Sequence, residues 1–178
     1  DLNFSKNDFY VSIGRLTDQK NFEFLIDIFS KNIEKFKVKK LFIIGEGEKF
    51  NFLKNKIYEN KMENNIFLIE FKNNIYNILN YSSGLISTAR FEDPGFTLIE
   101  SAFLRKIVIS SLVKNGPLEM SNFEETGFFF KKNNEDDFVK KILENENFNK
   151  LKKVKNAFKY SKYFSIFEHY KQLKKIIV

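Results

Sequence analysis

Apolar residues along the chain fall into two alternating patterns. Short continuous apolar runs, such as 8–14 (DFYVSIG) and 40–45 (KLFIIG), are typical of strands buried on both faces of a parallel sheet. Between them lie segments such as 20–36, where apolar residues recur at the three- and four-residue spacing of a helix. The alternation predicts an α/β fold with a doubly wound, mostly parallel, six-stranded Rossmann-like sheet and helices on both faces.

The remaining elements follow the same alternation, and no linker or repeat divides the chain, so residues 1–178 are predicted to form one domain. The predicted strands are 8–14, 40–45, 65–71, 84–88, 107–111 and 127–131. The predicted helices are 20–36, 48–60, 75–81, 97–104, 135–144, 150–160 and 166–176.

The composition narrows the class of protein. The 178 residues suit one domain, and no apolar run approaches the roughly 20 residues of a membrane-spanning helix. Without cysteine, the chain can form neither disulfides nor a thiolate metal site. The formal net charge of +7 predicts either a solvated basic face or attraction to phosphorylated ligands or an anionic membrane surface. No recognised DNA- or RNA-reading motif occurs, so no nucleic-acid partner is expected.

Two loops that follow predicted strands are candidates for ligand contact, because ligands of doubly wound sheets bind at the carboxyl ends of the strands. Arg15 follows the first strand, and Lys20 falls at the start of the next helix, whose amino end is already partly positive. A diphosphate would relieve this concentration of positive charge. Surface ion pairs with Asp18 or Glu23 are the alternative. The glycine-rich loop 45–48 (GEGE) permits close approach of a ligand, although such loops are common.

The most informative stretch is 91–100 (FEDPGFTLIE), which joins a strand to a helix. Glu92 lies in the loop, and Glu100 lies one turn into the helix. Seven residues separate the two glutamates. Gly95 exposes the amides that open the helix and so predicts a second anion site. One carboxylate could hold sugar hydroxyls and the other could accept both hydroxyls of a ribose. The alternative is a carboxylate near a helix start and an ordinary surface residue.

At this point the chain resembles the C-terminal domain of glycosyltransferase family 4, whose members are retaining enzymes of the two-domain GT-B fold. The resemblance covers nearly the whole chain, and its segments occur in the family's order. Six segments carry it, namely 14–29, 41–53, 65–79, 92–100, 110–120 and 125–142. A seventh segment, within 160–178, resembles the terminal helix that packs back against the other domain.

The resemblance implies roles for individual residues. Arg15 and Lys20 would clamp the diphosphate of the donor, Glu92 would contact the transferred sugar, and Glu100 would bind the ribose. Arg15, Lys20 and Glu92 would be the catalytic residues. The other residues implied to bind the donor are Gly14, Gly45, Ile69, Glu70, Phe71, Gly95, Phe96, Thr97 and Leu98. One departure from the usual pattern is the Asp-Pro-Gly sequence at 93–95, which puts the identity of the donor sugar in doubt.

The reaction implied is hexosyl transfer, with retention of configuration, from a nucleotide diphosphate sugar, for which UDP-sugar is the expectation. No Asp-x-Asp pair occurs, so metal-independent transfer without a cofactor is expected. The acceptor would be a glycan or a lipid-linked sugar of surface polysaccharide, lipopolysaccharide or glycoprotein synthesis. A chain that begins at Asp1 rather than Met is expected to lack an N-terminal domain that supplies the acceptor site, so this domain alone would bind UDP but transfer little.

The expected location is the cytoplasm, including the inner face of the cytoplasmic membrane. Two other classes of function stay open on the sequence. One is another GT-B enzyme, such as a nucleotide-sugar epimerase. The other is a noncatalytic α/β nucleotide-binding module, which has no need to bring Arg15, Lys20, Glu92 and Glu100 into one pocket.

Overall fold

The computed structural model describes residues 5–71, 75–122 and 125–177. Six strands alternate with helices along the chain. The strands are β1 (Tyr10–Ile13), β2 (Leu41–Ile44), β3 (Ile66–Ile69), β4 (Gly84–Ser87), β5 (Val108–Leu112) and β6 (Phe128–Lys131). The helices are α1 (Phe22–Asn32), α2 (Phe50–Glu59), α3 (Ile75–Tyr81), α4 (Phe96–Phe103), α5 (Gly116–Asn122), α6 (Glu135–Asn147), α7 (Leu151–Ser161) and α8 (Ile166–Ile177). Short 3₁₀ turns follow α1 and α7.

The strands form one sheet in the order β3-β2-β1-β4-β5-β6, and every described pairing is parallel. The order runs outward from β1 in one direction and from β4 in the other, so the topological switch point lies between these two strands. The predicted doubly wound six-stranded sheet is therefore confirmed. Because the sheet is parallel, all six strands direct their carboxyl ends to the same edge.

Helices cover both faces of the sheet, and each face has its own apolar core. Helices α1, α2 and α6 pack with Tyr10, Leu41 and Ile43 on one face. Helices α3, α4 and α7 pack with Val11 and Ile44 on the other face. Neighbouring residues of one strand thus belong to opposite cores, and both are buried. This burial on two faces explains why the strands read as unbroken apolar runs.

Two helices differ from their predicted bounds in ways that matter for the site. The predicted helix 20–36 begins at Phe22, because Asn21 adopts the left-handed conformation with φ 56° and stops the helical path. Lys20 therefore lies in the turn before the helix. The terminal segment 160–178 is divided by a 3₁₀ turn, and α8 begins at Ile166.

Helix α5 has no counterpart among the predicted elements. Its sequence, GPLEMSN, opens with the turn residues Gly116 and Pro117 and contains a single residue with a long apolar side chain that reaches the core, Met120. Such a short segment carries too few apolar positions for a helical period to be recognised. Gly116 packs so closely on the carbonyl oxygen of Pro94 that a Cβ would collide with it, which ties α5 to the loop before α4.

Candidate active site

An open cleft of about 420 Å³ lies at the carboxyl edge of the sheet, next to the switch point. Loops after β1, β2 and β3 supply one part of its lining, and the first turns of α3 and α4 supply the rest. Such a position is where doubly wound sheets bind ligands. The lining residues are Ile13, Gly14, Arg15, Ile44, Gly45, Glu46, Phe71, Ile75, Tyr76, Phe96, Thr97 and Glu100.

The loops after β1 and β2 are held against each other by their backbones. The amide of Leu16 donates to the carbonyl of Glu46 at 2.8 Å, and the carbonyl of Leu16 accepts from the amide of Lys49 at 3.1 Å. A Cβ at Gly45 would collide with the carbonyl oxygen of Gly14. Glycine at 45 is therefore required by the approach of the neighbouring loop, and the two glycines are backbone lining of the cleft.

Lys20 and Glu92 form a nearly buried ion pair beside the cleft. The Lys20 Nζ lies 2.6 Å from the Glu92 Oε1, and the two side chains are 16% and 5% exposed. The stem of Lys20 lies along Gly14, where a Cβ would meet its carbons at 2.9–3.2 Å. Asp18 pairs instead with Lys49. The structure thus brings Lys20 to the acid expected to contact the sugar, and not to the alternative partner Asp18.

A ladder of hydrogen bonds joins the turn before α1 to the loop after β4. The Arg90 amide donates to the Gln19 carbonyl at 2.8 Å, and the Gln19 Nε2 donates to the Phe91 carbonyl at 3.2 Å. The Asn21 Nδ2 donates to the Thr88 carbonyl at 3.3 Å, and the Asn21 Oδ1 accepts from the Arg90 guanidinium at 3.3 Å. Sequence reasoning missed Asn21, Thr88 and Arg90, because a ladder between segments about 70 residues apart leaves no local pattern.

Arg15 lines the cleft as an exposed cation. Within the ranges 5–71, 75–122 and 125–177, no side chain forms an ion pair or hydrogen bond with its guanidinium. Asp18 pairs with Lys49, and Glu23 lies 3.5 Å from the Lys56 Nζ, so neither predicted alternative partner binds Arg15. A guanidinium at a concave surface without a carboxylate partner is well suited to a phosphorylated ligand.

Glu100 lies in the same cleft as Arg15, half-buried in α4. The Tyr76 hydroxyl donates to the Glu100 Oε1 at 3.1 Å. This bond and the negative charge of Glu100 raise the pKa of the Tyr76 phenol. Sequence reasoning missed Tyr76, since a tyrosine at a helix start has no signature of its own.

The loop before α4 ends in a left-handed glycine, and the helix opens into the cleft. Gly95 has φ 82°, and its carbonyl accepts from the Leu98 amide at 2.9 Å. The amides of Phe96 and Thr97 belong to the first turn, which has no earlier carbonyls to bind, and both residues line the cleft. The Leu98 side chain is buried in the core, 1% exposed, so this predicted donor-binding residue does not line the cleft.

Of the three residues expected to border a base, Phe71 lines the cleft and is half exposed. Ile69 and Glu70 do not line it. Ile69 is the last residue of β3, and its carbonyl accepts from the Gly45 amide at 3.0 Å. The cleft therefore contains most of the predicted site residues, including Arg15 and Glu100. The Lys20–Glu92 pair stands at its border, where Lys20 covers Gly14.

Among the residues that the structure describes, no three His, Cys, Asp or Glu side chains gather in a way that could hold a metal ion. In the same residues, no helix is both long and apolar enough to cross a bilayer.

Fold and cleft together define a doubly wound α/β domain with a ligand cleft at the switch point of its sheet. The family model "Glycosyl transferases group 1" matches residues 1–175. The chain therefore belongs to the glycosyl transferases of group 1, and it corresponds to the C-terminal domain of their GT-B fold.

Two relatives and one solved structure show the extent of the similarity. An uncharacterized glycosyltransferase of Methanocaldococcus jannaschii is 36% identical over 119 residues, which cover 66% of this chain and 29% of the relative. The poly(ribitol-phosphate) alpha-N-acetylglucosaminyltransferase of Staphylococcus aureus is 25% identical over 132 residues, or 74% of this chain and 27% of the relative. This chain thus spans under a third of either relative.

The solved structure is that of the pneumococcal O-GlcNAc transferase in complex with UDP and GlcNAc. It superposes with a TM-score of 0.84 and 18% identity over 99% of this chain, which corresponds to 36% of that chain. At this level of identity the similarity is one of fold.

Proposed function

We propose that this chain is the donor-binding domain of a retaining glycosyltransferase of family 4, which moves a hexose from a UDP-sugar to a glycan or lipid-linked acceptor. The surface polysaccharides, lipopolysaccharides and glycoprotein glycans are the products we expect of such an enzyme. One observation carries the proposal: Arg15, whose guanidinium has no side-chain partner among the described residues, lines one cleft at the switch point together with Phe96 and Thr97 at the start of α4 and with Glu100.

The groups around the cleft match the parts of a nucleotide diphosphate sugar. Arg15 and the amides of Phe96 and Thr97 suit the diphosphate, because a guanidinium and a helix amino end both favour an anion. The Glu100 carboxylate suits the two hydroxyls of a ribose, since it is an acceptor of two hydrogen bonds. Phe71 offers an apolar surface for the base. The pneumococcal structure, which has the same fold, was solved with UDP and GlcNAc, and this supports a uridine nucleotide as the donor.

The chemistry follows from the charge that develops during transfer. The bond between the anomeric carbon and the diphosphate oxygen breaks, so negative charge grows on the leaving oxygen and positive charge grows on the sugar ring. Arg15 and Lys20 would stabilise the leaving diphosphate without a metal ion, as fixed charges that need no reorganisation. The acceptor hydroxyl attacks the anomeric carbon from the face that the diphosphate leaves and gives its proton to the departing phosphate. Attack from this face retains the configuration of the anomeric carbon. Glu92 would hold the sugar hydroxyls while it keeps Lys20 in place.

The acceptor and the membrane belong to the same proposal. We infer that a further domain supplies the acceptor site and packs on the terminal segment 160–178. Phe167 and Tyr170 of α8, which are 75% and 65% exposed, offer an apolar surface for that contact. The net charge of +7 would favour the anionic inner face of the cytoplasmic membrane, where lipid-linked acceptors are found.

Calorimetry with UDP tests the proposal. We expect the intact protein to bind UDP, and Arg15→Ala and Glu100→Ala each to weaken binding by roughly tenfold or more, the usual effect of losing a charged hydrogen-bond partner. Lys54→Ala and Glu59→Ala are the matched controls, because both side chains are exposed on α2 and outside the cleft. They should bind UDP as the wild type does. Absence of UDP binding by the folded wild-type protein would overturn the proposal.

Product analysis distinguishes a glycosyltransferase from a nucleotide-sugar epimerase. With a radiolabelled UDP-sugar and extracted glycan acceptors, a transferase moves the label to the acceptor. Release of an epimerised nucleotide sugar, with no labelled glycan, would instead identify a nucleotide-sugar epimerase.

A further inference from the structure

A second cavity of about 370 Å³ adjoins the cleft, and two residues separate the two spaces. Tyr76 and Glu100 line both cavities, so their side chains form a shared wall. The rest of the second cavity is mostly apolar and is lined by Ile99, Phe103, Leu104, Ser161, Phe164 and Ser165. A carboxylate in such a wall has freedom to turn away from the cleft unless another group holds it.

We propose that Tyr76 is a positioning residue that holds the Glu100 carboxylate in the cleft, with one oxygen bound to the phenol and the other directed at the ribose. The inference rests on the proposed role of Glu100. The Tyr76 hydroxyl donates to Oε1 at 3.1 Å and joins α3 to α4. Within the described residues no other group forms a hydrogen bond or ion pair with the Glu100 carboxylate, so Oε2 is left for a ligand.

The exposure of Tyr76 argues that its hydroxyl has more than a packing role. Tyr76 is 48% exposed and belongs to neither core cluster. Within the part of the chain that the structure describes, the charge-assisted hydrogen bond to Glu100 is the one side-chain bond of Tyr76, and such bonds are stronger than neutral ones. The raised pKa of the phenol agrees with this geometry, because the neutral phenol is the form that donates. Tyr76 therefore limits the orientations of Glu100 before a ligand arrives.

A comparison of two ligands isolates this role. UDP carries the ribose hydroxyls, and 2′,3′-dideoxy-UDP lacks them while it keeps the base and the diphosphate. In the intact protein we expect Tyr76→Phe to weaken UDP binding by roughly 3- to 10-fold, the range for loss of one net hydrogen bond to a charged group. Binding of the dideoxy nucleotide should stay as in the wild type. Tyr58→Phe, on an exposed tyrosine of α2, is the matched control and should change neither affinity.

A double-mutant cycle with Glu100→Gln completes the test. If Tyr76 acts through Glu100, the double variant should bind UDP no more weakly than Glu100→Gln alone. Equal losses of affinity for both nucleotides in Tyr76→Phe would overturn the inference, since they indicate a general change in the wall between the two cavities. The inference would also be overturned if Tyr76→Phe kept the wild-type preference for UDP over the dideoxy nucleotide.

The outcomes also separate this inference from the proposed function. If Glu100→Gln keeps the full preference for UDP over the dideoxy nucleotide, the ribose role that the proposed function gives to Glu100 is wrong, and the positioning role of Tyr76 falls with it. If Glu100→Gln loses that preference and Tyr76→Phe keeps it, the ribose role stands and the positioning role of Tyr76 alone is wrong. Thermal unfolding of each variant checks that the fold is intact.

Discussion

The Lys20 ammonium and the Glu92 carboxylate, 2.6 Å apart, link the turn before α1 to the loop before α4. Both loops end at the carboxyl edge of the sheet, on either side of the switch point. The pair is largely withdrawn from water, since the two side chains are 16% and 5% exposed. Each charge therefore depends on the other, and a change at one position alters both loops.

Replacement of Lys20 by methionine should reduce both activity and stability. The Glu92 carboxylate would be left buried without its partner, at a cost of about 3–5 kcal/mol in the free energy of unfolding. The rate of transfer should fall by roughly 10²–10³, because a fixed cation near the leaving diphosphate is lost. Urea unfolding of this domain measures the first effect, and turnover of a UDP-sugar by the enzyme that includes the acceptor-binding domain measures the second. The double variant Lys20→Met/Glu92→Gln should regain stability without regaining transfer. A double variant as active as wild type would contradict the proposed role of the pair.

The Lys49–Asp18 ion pair is the matched control. It lies near the same loops, but the Asp18 side chain is 67% exposed. Pairs that water can screen contribute about 0.2–1 kcal/mol or less, so Lys49→Met should be close to wild type in both assays.

Arg15→Lys should show whether Arg15 contributes to binding of the diphosphate or of the rest of the donor. The change keeps the charge and removes the planar pair of donors that can bind two phosphate oxygens. We expect UDP affinity to fall by roughly tenfold, about 1.4 kcal/mol of binding free energy. Uridine, which has no phosphate, should bind the variant and the wild type equally. A parallel loss for uridine would show that Arg15 acts on the shape of the cleft instead of on phosphate.

The strands and the layout of the fold could be predicted because the sheet is buried on both faces. Residues of β1 such as Tyr10 and Val11 must be apolar for opposite cores, which leaves a continuous signal in the sequence. Helix ends were harder, since they depend on single backbone conformations such as the left-handed Asn21. Helix α5 escaped because it is short and only Met120 among its long apolar side chains is buried.

The candidate site likewise contains residues that could be predicted from the sequence and residues that could not. Arg15, Gly45 and Glu100 could be found because they directly follow strands or stand near a helix start, and the sequence order maps onto one edge of the sheet. Tyr76 and Arg90 could not be found in this way. Their partners, Glu100 and Asn21, are 24 and 69 residues distant in sequence, and the contacts exist only once the sheet brings the loops together.

Tyr160 should make the protein sensitive to alkaline pH. Burial in α7 raises the pKa of its phenol to about 12, from an ordinary value of 10.0, and the charge of Glu119 adds to the effect. The folded state thus keeps a proton that the unfolded state loses. The contribution is fully present below about pH 10 and is lost as pH rises through about 12. Urea unfolding from pH 9 to 12 should show a shallower loss of stability for Tyr160→Phe than for the wild type. Identical slopes would refute the assignment to Tyr160.

Asn21→Gly should show whether the ladder between the two loops serves catalysis or only stability. Asn21 is 4% exposed, and its left-handed φ of 56° is open to glycine without strain. The change therefore removes the side-chain bonds to Thr88, Arg90 and Asn133 and spares the backbone. The loss of these bonds should cost about 1–3 kcal/mol of stability.

We expect transfer by Asn21→Gly to fall more than UDP affinity, since the loosened loop carries Glu92, while Arg15 and Glu100 keep their places. Asn115→Gly is the matched control, because Asn115 is also left-handed, with φ 67°, but its side chain is exposed. The control should keep wild-type stability and transfer. If Asn21→Gly loses stability and still transfers sugar at the wild-type rate below its unfolding temperature, the ladder holds the fold together and does not position Glu92.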